Sequence, residues 1–231
     1  MADELLLLTR QSYVRLTLRQ TWDGLPLVAM GSFVFSLCCL PALSLFILNL
    51  PLPAILAGAV SIAPAWAALL ALEADILQDK KTGLAALLRA LPAYAGRSMK
   101  LGLLAAFPLA AGFLTLPLLA APETPPVVWL GIAADALGLL LLLALFIYTF
   151  PLLVLYDLDM GPALRNSLIL ASRYLAHTLG LLSLGGLFLL AGLYLNSGLL
   201  FILPAIWGMF IVNNCRLVVD LEKENSSYEQ L

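Results

Sequence analysis

Charged residues are scarce in this chain. Only 11% of its 231 residues are Asp, Glu, Lys or Arg, whereas 62% are hydrophobic. A soluble domain is excluded, because a chain of this composition cannot keep its apolar surface away from water. The sequence therefore predicts a single integral membrane domain. It also lacks the basic patch and aromatic platform that nucleic-acid binding requires, so no nucleic-acid partner is expected.

Residues that bind metals or perform nucleophilic catalysis are equally few. The chain has one histidine, His177, and three cysteines, of which Cys38 and Cys39 are adjacent. It contains no CxxC motif and no His and Glu four residues apart, so no metal site is predicted. No cysteine pair faces an oxidising loop, which argues against a disulfide. A GxSxG motif is absent as well. We expect neither an enzyme nor a cofactor site.

Long runs without charge define the membrane spans. Four runs carry no charged residue: 24–72, 101–122, 136–156 and 178–215. About 20 helical residues cross about 30 Å of hydrocarbon, so the first and last runs must each hold two spans. Asn49 with Pro51, and the Asn196-Ser197-Gly198 turn, divide these two runs. The prediction is an all-α bundle of six spans near residues 25–48, 54–72, 101–121, 127–150, 179–195 and 199–213.

All twelve Lys and Arg residues lie on one side of these spans. The turns on the other side, around Asn49, Glu123 and Asn196, carry none. Cations near span ends are retained in the cytoplasm, so both termini are predicted to be cytoplasmic. We expect residues 1–222 to form the membrane domain and the charged segment 223–231 to be a disordered cytoplasmic tail.

Three segments that precede a pair of spans resemble one another: residues 10–27, 87–104 and 164–181, at intervals of one third of the chain. Each suggests an amphipathic cytoplasmic helix followed by a helical hairpin, in three pseudo-repeats with the same orientation. In the third segment Leu164, Leu168, Ala171 and Leu175 form an apolar stripe, opposite a polar stripe that includes Arg173 and His177. This pattern predicts an interfacial helix over 164–177.

Two stretches carry a family resemblance. One is SIAPAWAA at residues 61–68, and the other is YTFPLL at 148–153, followed by Asp157 and ALRNSL at 163–168. They resemble the YesL-like family of bacterial multi-pass membrane proteins, and the resemblance follows the span order over most of the chain. Ser61 and Trp66 stand where the family usually has Gly and Thr.

The resemblance implies a place in the bacterial cytoplasmic (inner) membrane and supplies no catalytic residues. Members of the family often accompany genes for ATP-driven carbohydrate importers. It therefore implies a non-enzymatic accessory or regulatory role in carbohydrate import, with the lipid bilayer and the importer's membrane subunits as partners.

Asp135 is the only carboxylate that this topology places inside a span. Ionisable groups in a membrane are costly and often functional, as proton relays or substrate contacts. Asp135 also lies about two turns from the outer end of its span, where interfacial pairing explains it more simply. A small-solute transporter or channel that uses Asp135 is the alternative function.

Charged residues cluster where spans emerge into the cytoplasm, and together they could bind a partner's loop or an anionic ligand. Helix capping and headgroup contact explain the same residues more simply. His177 has no partner in the nearby sequence that would make it catalytic. The candidate contacts are Glu73, Asp75, Arg89, Arg97, Asp135, Asp157, Asp159, Arg165, Arg173 and His177.

Overall fold

The computed structural model describes residues 2–78, 80, 83–120, 125–194, 198 and 201–228. These residues form eight α-helices, and no strand occurs among them. The helices are α1 (Ala2–Asp23), α2 (Leu25–Ile47), α3 (Pro51–Leu77), α4 (Leu84–Thr115), α5 (Pro126–Leu155), α6 (Met160–Arg173), α7 (Leu175–Tyr194) and α8 (Leu203–Tyr228). A short 3-10 helix, Leu116–Ala120, continues α4.

Five of these helices are long and apolar enough to cross a membrane: α2, α3, α4 with its 3-10 extension, α5 and α7. The 30 residues of α5 alone rise by about 45 Å, which exceeds the hydrocarbon thickness. The chain is therefore an all-helical bundle with the character of a multi-pass membrane protein. The sixth predicted span, 199–213, falls mainly on α8, where Asn213, Asn214 and Arg216 lower the hydropathy; residues 199 and 200 lie outside the described residues.

Two predicted helix boundaries are wrong. Segment 87–104 is not a separate amphipathic helix, because α4 runs without a break from Leu84 through Pro92 and Gly96 into the predicted span. Conversely, the predicted helix over 164–177 ends at Arg173, and Leu175 begins α7. Only the helices preceding the first and third hairpins, α1 and α6, are therefore separate from the span that follows.

The chain folds so that its charges gather at one end. We call the end formed by residues 13–24, 73–78, 80, 83–100, 154–177 and 213–223 the charged end, and the end formed by 43–55, 113–120, 125–130, 190–194, 198 and 201–203 the charge-poor end. Contacts between distant segments hold the charged end together: Gly24 approaches Ile76, and Arg216 Nη1 lies 3.5 Å from Leu77 O. At the charge-poor end Asn49, at φ 57°, makes the turn from α2 to α3; Asn tolerates this left-handed conformation better than most residues.

Helix α3 is the centre of the bundle. Half of the residues in the most apolar stretch of α3 are buried, whereas 11% are buried in the corresponding stretch of α4. It packs on α2, α4, α5 and α8, and small residues allow close approach: a Cβ added to Gly102 of α4 would lie 2.6 Å from Ala59 O. Such small residues are typical of helix contacts in membranes, where packing replaces the hydrophobic drive.

The charge-poor half of the bundle leaves most of its apolar surface uncovered. Leu114, Leu130, Leu187 and Leu193, among others, are exposed. In a protein with this many apolar helices such surface is suited to lipid. Trp129 and Tyr194 are exposed near this end, and Trp22 is 75% exposed at the other. Trp and Tyr at both ends match the aromatic belts of membrane proteins.

The last helix extends into the segment predicted to be a disordered tail. Helix α8 continues to Tyr228, and residues 229–231 lie outside the described residues. An ion pair one turn apart, Lys223 to Asp220 at 3.9 Å, lies on this extension.

Candidate functional site at the charged end of the bundle

Two adjacent amides on α8 organise the polar interior of the charged end. Asn213 and Asn214 are both buried. Consecutive helical residues point about 100° apart, so the two side chains reach different neighbours. The side chain of Asn213 contacts α1, and the side chain of Asn214 contacts α5 and α7.

The polar contacts around Asn214 join three helices, α5, α7 and α8. Asn214 Nδ2 donates to Tyr148 Oη on α5 at 3.3 Å, and Asn214 Oδ1 lies 2.9 Å from His177 Nδ1 on α7. Thr178 Oγ1, the next residue of α7, also lies 3.3 Å from Tyr148 Oη. Below this group Thr149 Oγ1 donates to Ser167 Oγ at 2.8 Å, which ties α5 to α6. Buried polar groups joined in this way fix the relative positions of their helices.

The hydrogen bonds made by Asn213 hold α1 against α8. Asn213 Nδ2 donates to Thr17 Oγ1 and to Gln20 Oε1, both at 3.1 Å. Tyr13 Oη donates to Phe210 O at 2.6 Å, and burial raises the pKa of Tyr13 above its ordinary value. Helix α1 therefore docks on α8 through its polar face. Its apolar residues Val14, Leu18 and Trp22 point outward, as an interfacial helix on a membrane would require.

Glu73 lies within helix α3 and is fully buried, whereas the sequence prediction placed it among the charged residues where a span emerges into the cytoplasm. The prediction ended the second span at residue 72 and made Asp135 the only carboxylate within a span. Helix α3 instead continues to Leu77, and Glu73 is 0% exposed. Neither of its carboxyl oxygens has a hydrogen-bond partner among the described residues. Charged residues close behind it, Asp75 and Lys80, made this stretch look solvated in sequence.

Ion pairs tie the outer surface of the charged end together. Arg97 Nη1 lies 2.6 Å from Asp157 Oδ1, and Arg97 Nε lies 3.6 Å from Asp159 Oδ1. Asp157 has φ 49°, so Arg97 holds a strained turn between α5 and α6. Asp159 is the residue before α6 and precedes its first turn.

The end of α8 is fixed in the same way. Arg173 Nη1 pairs with Glu222 Oε1, and Tyr174 Oη lies 3.4 Å from Glu222 Oε2. Burial, and then the Glu222 carboxylate, raise the pKa of Tyr174.

A cleft of 460 Å³ opens at the charged end between α3, α4 and the end of α5. Asp75 and Lys80, paired at 3.0 Å, lie at one side of it, and Arg89 and Tyr94 of α4 at the other. Alanines of α3 and α4, together with Val154 and Leu155, form its apolar lining. A concave surface that combines charged and polar side chains with small apolar residues can bind a short peptide segment or a small anionic ligand.

The predicted cluster is thus divided into separate contacts. The structure brings Arg97 to Asp157 and Asp159, and it places Asp75 and Arg89 in one cleft. Arg173 pairs with Glu222, which the prediction did not include, and Arg165 is exposed. Within the described part of the chain, His177 contacts Asn214 and no carboxylate. Asp135 lies apart from all of these, against Gly112 of α4.

Sequence reasoning missed Tyr148, Asn213 and Asn214. The signal that could have found them is the pair of amides within an apolar stretch, because unpaired polar groups in a span are costly and must find partners. It also missed Trp207, whose Nε1 donates to Leu181 O at 3.0 Å and whose ring lies 5.4 Å from that of Trp66. Gly185 of α7 leaves the space that this ring occupies.

In the part of the chain that the structure describes, no group of three or more His, Cys, Asp or Glu residues is arranged to hold a metal ion. Comparison of this chain with protein-family models, with curated proteins and with solved structures gives no match.

Proposed function

We propose that this protein is a non-enzymatic, six-span protein of the bacterial inner membrane that binds a partner protein through its charged end. In this proposal α8 supplies the sixth span and both termini are cytoplasmic. The three-unit organisation is supported by α1 before the α2–α3 hairpin and α6 before α7 and α8, with the second unit fused into α4.

The observation that carries the proposal is the cleft between α3, α4 and α5. It brings Arg89, the Asp75–Lys80 pair and Tyr94 together among small apolar residues, all at the end of the molecule where the cations gather. Mixed charges of this kind give orientation and specificity to protein contacts. The helices next to the cleft are closely packed: Leu69, Leu70 and Leu101 are fully buried. A closely packed core, with a cleft and charged residues at one end of the bundle, favours binding over passage of a solute.

The resemblance to YesL-like proteins supports the membrane subunits of an ATP-driven carbohydrate importer as the partner. In the proposed topology the cleft opens on the cytoplasmic side, where it can meet a cytoplasmic segment of such a subunit. Accessory action requires contact and no turnover, in keeping with the absence of a catalytic motif from the sequence.

Site-specific photocrosslinking tests the proposal. A photoreactive amino acid at Ala93, an exposed residue that lines the cleft, should capture an importer membrane subunit in native membranes. The matched control is Ala133, which is exposed on α5 in the charge-poor half. Arg89→Glu should abolish the Ala93 crosslink, whereas Arg15→Glu on exposed α1 should preserve it. Equal crosslinking at Ala93 and Ala133, or an Ala93 adduct unaffected by Arg89→Glu, would contradict the proposal.

The topology is tested separately by single-cysteine labelling in a background in which Cys38, Cys39 and Cys215 are replaced. An impermeant thiol reagent added to intact cells should leave Lys80→Cys and Arg165→Cys unlabelled, and should label both after permeabilisation. Labelling of Lys80→Cys in intact cells would reverse the orientation.

A proton-coupled small-solute transporter is the second candidate, favoured by the buried carboxyl of Glu73 in the central helix. Buried carboxyls in membrane helices are typical of proton relays. Purified protein in liposomes should move no sugar under the binding proposal. Uptake that is lost in Glu73→Gln would promote the transporter.

A further inference from the structure

The carboxyl group of Glu73 is isolated in the interior of the bundle. It is fully buried, and neither Oε1 nor Oε2 has a hydrogen-bond partner in the described part of the chain. The described cations also make no ion pair with it. Native proteins rarely leave buried polar atoms without partners, so each such group requires an explanation.

The carboxyl lies directly on the backbone of α8. A Cβ added to Gly208 would be 2.6 Å from Glu73 Oε1 and 2.8 Å from Glu73 Cδ, closer than real Cβ contacts allow. Glycine at this position is therefore what lets α3 and α8 meet. A contact this close leaves no space on this side for a hydrated ion or a solute.

No titratable group described on the helices packed against α3 makes a hydrogen bond or ion pair with Glu73. Arg216 of α8 lies against Leu77 O, and Arg97 of α4 pairs with Asp157. Tyr148 of α5 interacts with Asn214 and Thr178. The other groups on these helices whose side chains are described are Arg89 and Lys100 of α4, which are exposed, Cys38 and Cys39 of α2, Tyr94 of α4, Asp135 of α5, and Cys215, which is buried, Asp220, Glu222 and Lys223 of α8.

A bare carboxylate in this position would be an unpaired buried charge, which costs far more than a neutral carboxylic acid. We propose that Glu73 is a proton-binding site that closes the contact between α3 and α8 at Gly208. With its proton bound, the neutral carboxyl packs against the α8 backbone. Release breaks the O–H bond and transfers the proton to water, so the contact must open to admit water to the carboxylate.

Ser32 of α2 adds a second observation. It is buried, and its Oγ also lacks a partner. It follows Gly31, which contacts Leu69 and Leu72 of α3 just before Glu73. Two helices that pack side by side thus each carry an unsatisfied polar group, and the entry of water would relieve the cost of leaving both without partners. The inference does not depend on partner binding at the cleft.

Comparison of the wild-type chain with Glu73→Gln across pH is the first test, with unfolding measured in bicelles. The glutamine variant has nearly the same shape and stays neutral. Because the folded state keeps the proton in this proposal, the wild type should match the glutamine variant below about pH 4, where the unfolded chain is protonated as well, and should become progressively less stable than that variant as the pH rises to 10. A glutamine variant that is less stable at every pH, or two curves that run in parallel, would overturn the proposal.

Chemical modification supplies a second readout on the full-length protein in membranes. A hydrophobic carbodiimide adds to a protonated carboxyl, whose proton passes to the carbodiimide nitrogen, and the resulting adduct is read by peptide mass spectrometry. Labelling of Glu73 at pH 6 should exceed labelling at pH 10 at least tenfold, whereas Asp75, partly exposed and paired with Lys80, should stay unlabelled. Labelling of Glu73 that does not change with pH would contradict a bound proton. If no label enters at any pH, the pH dependence of stability decides.

Substitutions that enlarge one side chain and shorten the other test the geometry of the contact between Gly208 and Glu73. Gly208→Ala should lower the folded fraction because the new methyl meets the carboxyl, and adding Glu73→Ala should restore part of the loss. Gly186→Ala, at an α7 glycine with open space around it, is the control. If Gly208→Ala behaves like this control, the proposed contact is wrong.

Discussion

The half of the bundle next to the charged end (the charged half) and the half next to the charge-poor end (the charge-poor half) are both built from apolar helices. Their side chains differ in how far they are buried and in how many hydrogen bonds they make between helices. In the charged half, Tyr148, Leu153 and Met209 are fully buried, and hydrogen bonds connect α1, α5, α6, α7 and α8. In the charge-poor half α2, α4, α5 and α7 expose most of their large apolar residues. One aromatic pair there, Phe46 and Phe113 with ring centres 5.7 Å apart, links α2 to α4.

The difference shows where specificity resides. Lipid tails are as apolar as Leu, so exposed leucines gain nothing by leaving the bilayer for a neighbouring helix. Close backbone approach and satisfied polar groups can hold helices in one arrangement, and both are concentrated at the charged half. We infer that this half determines the fold and carries the recognition surface, while the other half serves mainly as a membrane anchor.

Truncation of a core leucine should have the largest effect. Leu70→Ala removes a side chain that is 0% exposed at the contact of α3 with α5 and α8, and should lower the unfolding free energy by about 2–5 kcal/mol. Leu130→Ala on α5, where the side chain is 72% exposed, should change it by less than about 0.5 kcal/mol. Reversible unfolding in bicelles measures both. Equal losses would remove the distinction between the halves.

A methyl group added at a close helix contact should have the next largest effect. Gly102→Ala would meet Ala59 O of α3, and overpacking of this kind costs about 1–3 kcal/mol. Gly138→Ala on α5 meets open space and should be neutral or stabilise the helix by up to about 1 kcal/mol, because alanine forms helix better than glycine. A neutral Gly102→Ala would show that α3 and α4 are not in close contact.

Removal of one hydroxyl from the polar interior should have a smaller effect. Tyr148→Phe deletes the oxygen that Asn214 and Thr178 contact, at a net cost of about 0.5–1.5 kcal/mol. Thr115→Val is the matched change, because Thr115 bonds only to carbonyls of its own helix, α4. Thermal unfolding in detergent should separate the two variants. If Thr115→Val is the more harmful, the polar interior is not what fixes the helices.

The smallest effect is expected at the surface of the charged end. Arg173→Ala removes the pair with Glu222, which is worth about 0–1 kcal/mol between exposed side chains and weakens with salt. Leu168→Asp on the outer face of α6 should cost more, because the exposed leucine faces the membrane in our account. Unfolding measured at low and high salt compares them. Equal tolerance of both changes would make α6 a solvated connector.

Sequence patterning predicted the helices well and their partners poorly. The span predicted at 127–150 lies within α5, Pro126–Leu155, because a long apolar run between turn-forming residues leaves few alternatives. The break at Tyr174 and the continuous α4 were not predicted, since both depend on contacts with other helices. The buried residues of α6 are Ala163, Ser167, Leu170 and Ala171. Of the predicted apolar stripe Ala171 is therefore buried, whereas Leu168 and Leu175 are exposed. In a membrane the most apolar face of a helix turns to lipid, so amphipathicity alone cannot identify the face that packs on protein.

The candidate site shows the same limit. Proximity of Arg97, Asp157 and Asp159 could be predicted because span ends on one side of a membrane share one plane. The depth of Glu73 could not, since it depends on the length of α3 and on a glycine 135 positions later in the chain. The pairing of Asn214 with Tyr148 and His177 likewise joins three helices that are distant in sequence.

The most direct test of the contrast between the halves is a spin-label scan along α5, which runs through both. Single cysteines would be placed at successive positions in a background lacking Cys38, Cys39 and Cys215, and oxygen accessibility would be measured in liposomes. Our account predicts high accessibility, with helical periodicity, over 127–143 and low accessibility at every position over 147–153. Low accessibility throughout 127–143 would contradict it, because the charge-poor half would then be covered by protein and not by lipid.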